Sequence, residues 1–334
     1  LVEGSTTKAL GSLGFGTFLA LDGLYDSAAG YFKEAGAEIS KQKAPFEYFD
    51  TQLTVAKKKG IVEIKIAETT KRETELEDML IARFGLRTAF VATVPAGASD
   101  YKAVGQLAAQ HFLSQLKPGV KVALSWGRSL QAMVNELDED NRPDVTLIPI
   151  MGGMTATPSS LSGETLIRTL ATKLNAEYLT LHAPTIVQAP EVKQALMLEP
   201  SLKSVIDAAK AADVAFVGVG SRESTSSNYI LESAGLNRVQ HPDFWSKVAG
   251  DLGGRFFDSE GKVIDTRLER RTVGLDLEEL KKIRRVVGVA AGEDKVLGIA
   301  AALKGRLLSD LVTSSNCAMK LLGIADQKTQ EELV

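Results

Sequence analysis

The chain has one cysteine, Cys317, in 334 residues. No internal disulfide can form, so a reducing cytosol is the expected compartment. No apolar run approaches the roughly 20 residues of a membrane span. The opening segment LVEGSTTKALGS also lacks the basic stretch and apolar core of a secretion signal. No membrane partner is therefore expected. The histidines His111, His182 and His241 lie far apart with no metal-ligand spacing, and no metal site is expected. No G-x-S-x-G elbow signals a serine nucleophile. The net charge of -3 excludes a strongly basic nucleic-acid coat, though not a local basic helix. Internal repeats and low-complexity segments are also missing. The composition, 44% hydrophobic and 24% charged, is that of an ordinary globular protein, and the chain is long enough to bury a self-sufficient core.

Against these absences stands one recurrent pattern. DVAFVGVGS (Asp213 to Ser221), KVALSWGRS from Lys121, DVTLIPIMGGMT from Asp144 and RVVGVAAGEDK from Arg285 are short β-branched apolar runs with polar punctuation only at their C-terminal ends. Strands apolar at nearly every position are covered on both faces, as in a parallel sheet between helices. From Arg87 onward such runs alternate with helical patterns. LRTAFVATVP, EYLTLHAP and LLSDLVTSS read as further strands, and RRTVGLDLEELKKIRR as a strand and a short helix. Helices are expected over YKAVGQLAAQHFLSQLKPG, RSLQAMVNEL, SGETLIRTLATKLN, PEVKQALML, PSLKSVIDAAKAA, DKVLGIAAALKG and NCAMKLLGI. The alternation predicts an α/β fold with a parallel sheet and helices on both faces. Ligands in such sheets bind beyond the carboxyl ends of the strands, where this chain carries Gly, Ser, Thr and Lys, groups suited to an anion.

The first part of the chain has a different texture. Short helical patterns up to about Gly60 lead into an alternating strand, GIVEIKI, and then a polar helix from Glu68 that ends at Gly85 with Leu76, Met79, Leu80 and Ala82 on one face. The chain is accordingly expected to divide into residues 1–67, small and helical, and residues 68–334, the α/β domain, with a linker around Ala67 to Arg72.

Several strand ends carry candidate site residues, each open to two readings. Gly152 and Gly153, followed by Met154 and Thr155, form either a plain tight turn or a loop whose N–H groups face an anion. Gly218-Val219-Gly220-Ser221 does not continue to a full dinucleotide fingerprint, since Ser224 occupies the third glycine position. No nicotinamide or other cofactor is expected, and Gly220 and Ser221 fit a loop lining a sugar site. Trp126, Gly127 and Arg128 also follow a strand. Ser125 or Ser129 could donate to a sugar oxygen, and Arg128 could pair with a phosphate or with a neighbouring acid. Asp251 is either a turn cap or an acceptor for a diol, and Lys295 either a solvated lysine or a point charge for phosphate. His182, at a strand end, faces either the site or solvent, and Asp258 and Asp265 fit turn positions around Ser259-Glu260-Gly261.

Taken in order, ALSWGRS, IPIMGGMT, VAFVGVGS, VAGDLGGRFFDSEGKVID, RTVGLDLEELKKIRRVVGVAAGEDKVLGIAAALKG and LVTSSNCAMKLL form a specific combination. Over roughly Arg87 to Ile324 it resembles the effector-binding domain of the SorC/DeoR-type sugar-responsive transcriptional regulators. The resemblance implies a bacterial regulator of a carbohydrate operon that is not an enzyme, with an isomerase/deaminase-like fold and a phosphorylated sugar or polyol as effector. It also implies effector contacts at Asp251 and Lys295, a homotetramer or dimer, and operator DNA as partner of an N-terminal winged helix-turn-helix. VAKKKGIVEIKI resembles the end of a recognition helix and its wing, with Lys57, Lys58 and Lys59 placed to contact phosphates. The preceding PFEYFDTQLT departs from the family pattern, because Glu47 and Asp50 stand where acidic groups would repel phosphates. Two other functions use the same residues: a sugar-phosphate isomerase, which needs a second acid or a histidine beside Asp251, and an effector-binding protein whose N-terminal part no longer binds DNA.

Overall fold

The computed structural model describes residues 71–94, 98–154, 162–264 and 266–331. Thr155, Lys57, Lys58, Lys59 and the N-terminal winged-helix pattern lie outside the described residues. From Thr70 onward the chain forms one compact unit.

Its elements run α1 (Thr74–Phe84), β1 (Thr88–Ala92), α2 (Asp100–Gln115), β2 (Lys121–Leu124), α3 (Arg128–Asn135), β3 (Thr146–Pro149), α4 (Gly163–Leu174) and β4 (Glu177–Tyr178). Then come α5 (Pro190–Leu198), α6 (Pro200–Lys210), β5 (Val214–Ser221), α7 (Thr225–Ser233), α8 (Pro242–Lys247), β6 (Gly250–Leu252), β7 (Arg255–Phe257) and α9 (Thr266–Glu269). The last are α10 (Leu277–Lys281), β8 (Val286–Val289), a 3-10 turn (Glu293–Lys295), α11 (Val296–Lys304), β9 (Asp310–Ser314) and α12 (Ser315–Glu331).

The sheet order is β1-β9-β8-β5-β2-β3-β4, parallel at every pairing along that path. Off it, β6 pairs antiparallel with the end of β5 and turns back as β7. The near-continuous apolar runs are explained by burial on both sides. Val214 and Phe216 of β5 enter one core while Ala215 and Val217 enter the other, and Val122, Ala123 and Leu124 of β2 alternate in the same way. One core also takes Val104 and Phe112 of α2, Leu130 of α3 and Leu170 of α4; the other takes Leu80 of α1, Ile206 of α6, Ile299 of α11 and Leu321 of α12. Helices thus cover both faces.

The structure departs from the sequence reading at four places. The expected strand EYLTLHAP contracts to Glu177–Tyr178 at the sheet edge. RRTVG forms no strand; Thr272 and Gly274 make single bridges to Ile186 and Met151. On α1 the expected face is displaced, since Met79 is 51% exposed and Glu77 is buried. Glu77 accepts from Arg72 and from the amide of Val91, so tertiary partners outweigh its polarity. Finally, GDLGGRFF forms a hairpin that the sequence reading did not single out. Gly253 and Gly254 both have positive φ (56° and 75°), the conformation that a two-residue hairpin turn demands.

Candidate functional site

From β2 the chain proceeds outward through β3 and β4, and from β5 it proceeds the other way through β8 and β9. The neighbours β2 and β5 therefore form a topological switch point, where crevices open at strand carboxyl ends. A tight cleft sits there, lined among others by Trp126, Arg128, Gly220, Gly254, Asp251 and Lys295. Three separate segments supply its chemistry: the turn after β2, the end of β5 with the hairpin paired to it, and the 3-10 turn after β8.

Asp251 is 6% exposed and Lys295 5%. Asp251 lies opposite Gly220 in the β5–β6 register. A Cβ on Gly220 would come within 1.8 Å of Asp251 Oδ1, so only glycine leaves room for the carboxylate. Oδ1 of Asp251 is in contact with Ser227 Oγ, and Oδ2 accepts from the Gly254 amide at 3.2 Å. Behind Ser227, its hydroxyl meets Ser224 Oγ at 2.6 Å, and Ser224 Oγ reaches the Ser221 carbonyl at 2.9 Å. Ser227 donates to the Asp251 carboxylate, and the single Ser224 hydroxyl proton serves either Ser227 or the Ser221 carbonyl. Burial pushes the Asp251 pKa up, against the lowering effects of the Ser227 hydrogen bond, the Lys295 charge and the Gly254 amide.

Burial pulls the Lys295 pKa down; the charges of Asp251 and Asp294 oppose this, and Arg128 adds to it. The Lys295 backbone N–H donates to Gly292 O, whereas its ammonium makes no hydrogen bond among the described residues. The cleft thus offers a carboxyl group and an amine that no described residue hydrogen-bonds. An acceptor-rich anion satisfies the amine, and hydroxyl groups satisfy the carboxylate.

The other sequence candidates fall in different places. Arg128 lies 3.5 Å from Asp294 and over the Tyr101 ring at 5.1 Å, so a neighbouring acid is its partner in this structure. Ser221 is buried away from the cleft, donating from its hydroxyl to Asp294 O at 2.5 Å. Ser125 accepts from the Gly218 amide and Ser129 from the Ala291 amide. The anion loop expected at Gly152 and Gly153 is not formed by these two amides: Gly152 N–H donates to Val273 O at 3.1 Å and Gly153 N–H to Ala183 O at 2.8 Å. Backbone amides take the nearest carbonyls, and these come from segments distant in sequence. Gly152, Gly153 and Met154 line a second, larger cleft together with His182, which meets Thr180 Oγ1 at 3.0 Å. Asp258 caps its own turn, accepting from the amides of Glu260 and Lys262; Asp265 lies outside the described residues. Ser224, Ser227 and Gly254 were not singled out for the site by sequence reasoning. The serine-rich stretch SRESTSSN after β5 was the available signal.

Comparison with known proteins agrees with this fold. The Sugar-bind family of sugar-binding domains matches residues 68–323. The sorbitol operon regulator of Klebsiella pneumoniae is 31% identical over 276 residues, covering 80% of this chain and 85% of that protein. The transcriptional regulator LsrR of Enterobacter sp. (strain 638) is 30% identical over 282 residues, covering 82% and 83%. The crystal structure of the full-length sorbitol operon regulator SorC from Klebsiella pneumoniae superposes with a TM-score of 0.69 at 29% identity, over 87% of this chain and 93% of that one. The chain belongs to the sugar-binding domain family of the SorC/DeoR-type carbohydrate-operon transcriptional regulators.

Proposed function

We propose that the chain is a cytoplasmic, oligomeric regulator that binds a phosphorylated sugar or polyol in the cleft at the β2–β5 switch point and couples that binding to operator DNA. The observation that carries this reading is the buried Asp251–Lys295 couple, whose ammonium has no hydrogen-bond partner among the described residues. The phosphate lies against Lys295 and the sugar hydroxyls against Asp251. Bound anion restores the lysine to its charged form, while the ionised carboxylate accepts from a diol. Asp251 is the one acid among the described lining residues of this cleft, and no histidine accompanies it. That favours a binding role over proton shuttling between sugar carbons.

DNA binding falls to the N-terminal part, with Lys57, Lys58 and Lys59 on phosphates, in a homotetramer or dimer. The effector shifts DNA affinity by no more than its own differential affinity for the two states. The acidic residues Glu47 and Asp50 favour a second reading, in which this part binds a protein in place of DNA.

The test is a thermal-shift and calorimetric screen against sugars matched with their phosphates. A ligand at 100 times its Kd adds about 2.7 kcal/mol of stability. A shift confined to a phosphorylated compound, and lost in Lys295→Ala, is the expected result; no shift from any compound refutes the reading. Operator selection with the full chain, read at two salt concentrations, separates DNA binding from the second reading.

A further inference from the structure

The tight cleft gives a water-sized body only about 30 Å³ of reachable space, whereas the adjoining cleft gives about 500 Å³. The second figure lies within the roughly 300–1,000 Å³ of clefts that take whole small ligands. Trp126 and Met151 line both, so the two adjoin. Their chemistry differs. Lys295, Arg128 and Asp251 face the tight cleft. The larger one has walls of Trp126, Met151, Ile167, Leu179, Leu181 and Pro184, and its described lining residues include no lysine or arginine. Glu164, at the rim of the larger cleft, disfavours an anion there. Trp126 itself is buried with its indole N–H unpartnered among the described residues, a costly arrangement that an acceptor on a ligand would relieve.

Resting on the sugar-phosphate reading, we propose that the effector is a sugar phosphate bearing a neutral ring substituent, such as a phosphorylated glycoside. Its charged end enters the tight cleft at Lys295, and the ring lies in the larger cleft against Trp126. The tight cleft has room for the charged group alone; the single ring of a simple sugar phosphate then occupies only part of the larger cleft, and a second ring buries further apolar surface there. Aromatic rings and second sugar rings share the flat, neutral face that an indole accepts.

The probes are hexose phosphates, each matched with its phenyl glycoside and with a disaccharide phosphorylated on the corresponding sugar. Affinities are read by calorimetry on the native chain. The chain has two tryptophans, and the Trp245 indole N–H is already bonded to Leu236 O; Trp245→Phe therefore leaves Trp126 as the sole emitter. The expected result is binding about tenfold tighter for a ring-bearing member than for its parent phosphate, with a change in Trp126 emission that the parent does not produce. Phenyl and disaccharide arms distinguish the two kinds of ring. Gly153 lines the larger cleft, and a Cβ on it would meet no described atom within 4 Å, so Gly153→Leu adds bulk at that wall and should erase the difference between matched ligands. Equal affinities in the native chain for parent and ring-bearing compounds would overturn this proposal and leave the sugar-phosphate reading intact. Failure of every phosphate to bind would overturn both.

Discussion

Asp251 and Arg255 belong to the two strands of one short hairpin and meet opposite fates. Arg255 pairs with Leu252 across the turn, so the two share a face that Asp251 does not. Arg255 is 1% exposed. Its Nε donates to Leu275 O, Nη1 to Glu269 O and Oε2, and Nη2 to Thr272 O and Gly274 O. All five guanidinium protons are satisfied. On the other face Asp251 shares its cleft with Lys295, whose three ammonium protons find no hydrogen-bond acceptor among the described residues. A buried charge with complete hydrogen bonding holds a fold together, and one left short of partners is free to recognise a ligand. The GD-x-x-GRFFD motif therefore contains two devices. Its arginine pins the loop from Glu269 to Leu275, and its aspartate serves the cleft.

The largest expected effect falls on the satisfied side. Arg255→Met strands Glu269 and four carbonyl acceptors and should cost about 3–5 kcal/mol by denaturant unfolding; a cost under about 1 kcal/mol would erase the distinction between the two faces. His111 gives a third kind of buried titratable group. It lies 4.3 Å from the Phe90 ring with Nε2 unpartnered among the described residues, and burial lowers its pKa to about 4. The depressed value means that stability is intact above the unfolded pKa of about 6.5 and is lost as pH falls from there towards 4. The loss over that window is about 3 kcal/mol, and His111→Phe should flatten the stability profile between pH 7 and pH 4. An unchanged slope would show that His111 is not the group responsible.

Gly220→Ala sharpens the comparison on the cleft side. The added methyl displaces Asp251 from Ser227, costing about 1–3 kcal/mol of stability and weakening effector binding together; wild-type affinity in this variant would place the ligand away from Asp251. The smallest effect on stability is expected for Lys295→Met. Because burial depresses the lysine pKa, the group opposes folding at neutral pH. Its replacement should leave unfolding within about 1 kcal/mol of wild type, on the stabilising side. Effector affinity measured by calorimetry should nevertheless fall about tenfold or more. A substitution harmful to binding and harmless to folding is the mirror image of Arg255→Met.

Much of the scaffold was legible beforehand. Val214–Ser221 and Val286–Val289 were readable because doubly covered parallel strands are apolar at successive positions, and Gly85, at φ 67°, closes α1 where a C-cap was expected. Asp251 and Lys295 entered through family resemblance; their own neighbours in sequence did not distinguish them from a turn cap and a surface lysine. The hairpin went unread because β6 and β7 are three residues each, too short for a periodicity to show. Ser227 was invisible as a partner because 24 residues separate it from Asp251.

The sequence by itself determined the layered α/β scaffold, since apolar periodicity and turn chemistry are local properties that each segment carries alone. Only the tertiary structure decided which strand ends adjoin, that the Gly152 and Gly153 amides are consumed by Val273 and Ala183, and that the Lys295 ammonium finds no hydrogen bond among the described residues while every donor of Arg255 has one. Hydrogen-bond satisfaction depends on groups brought close from distant parts of the chain, so it exists only once the fold has assembled them.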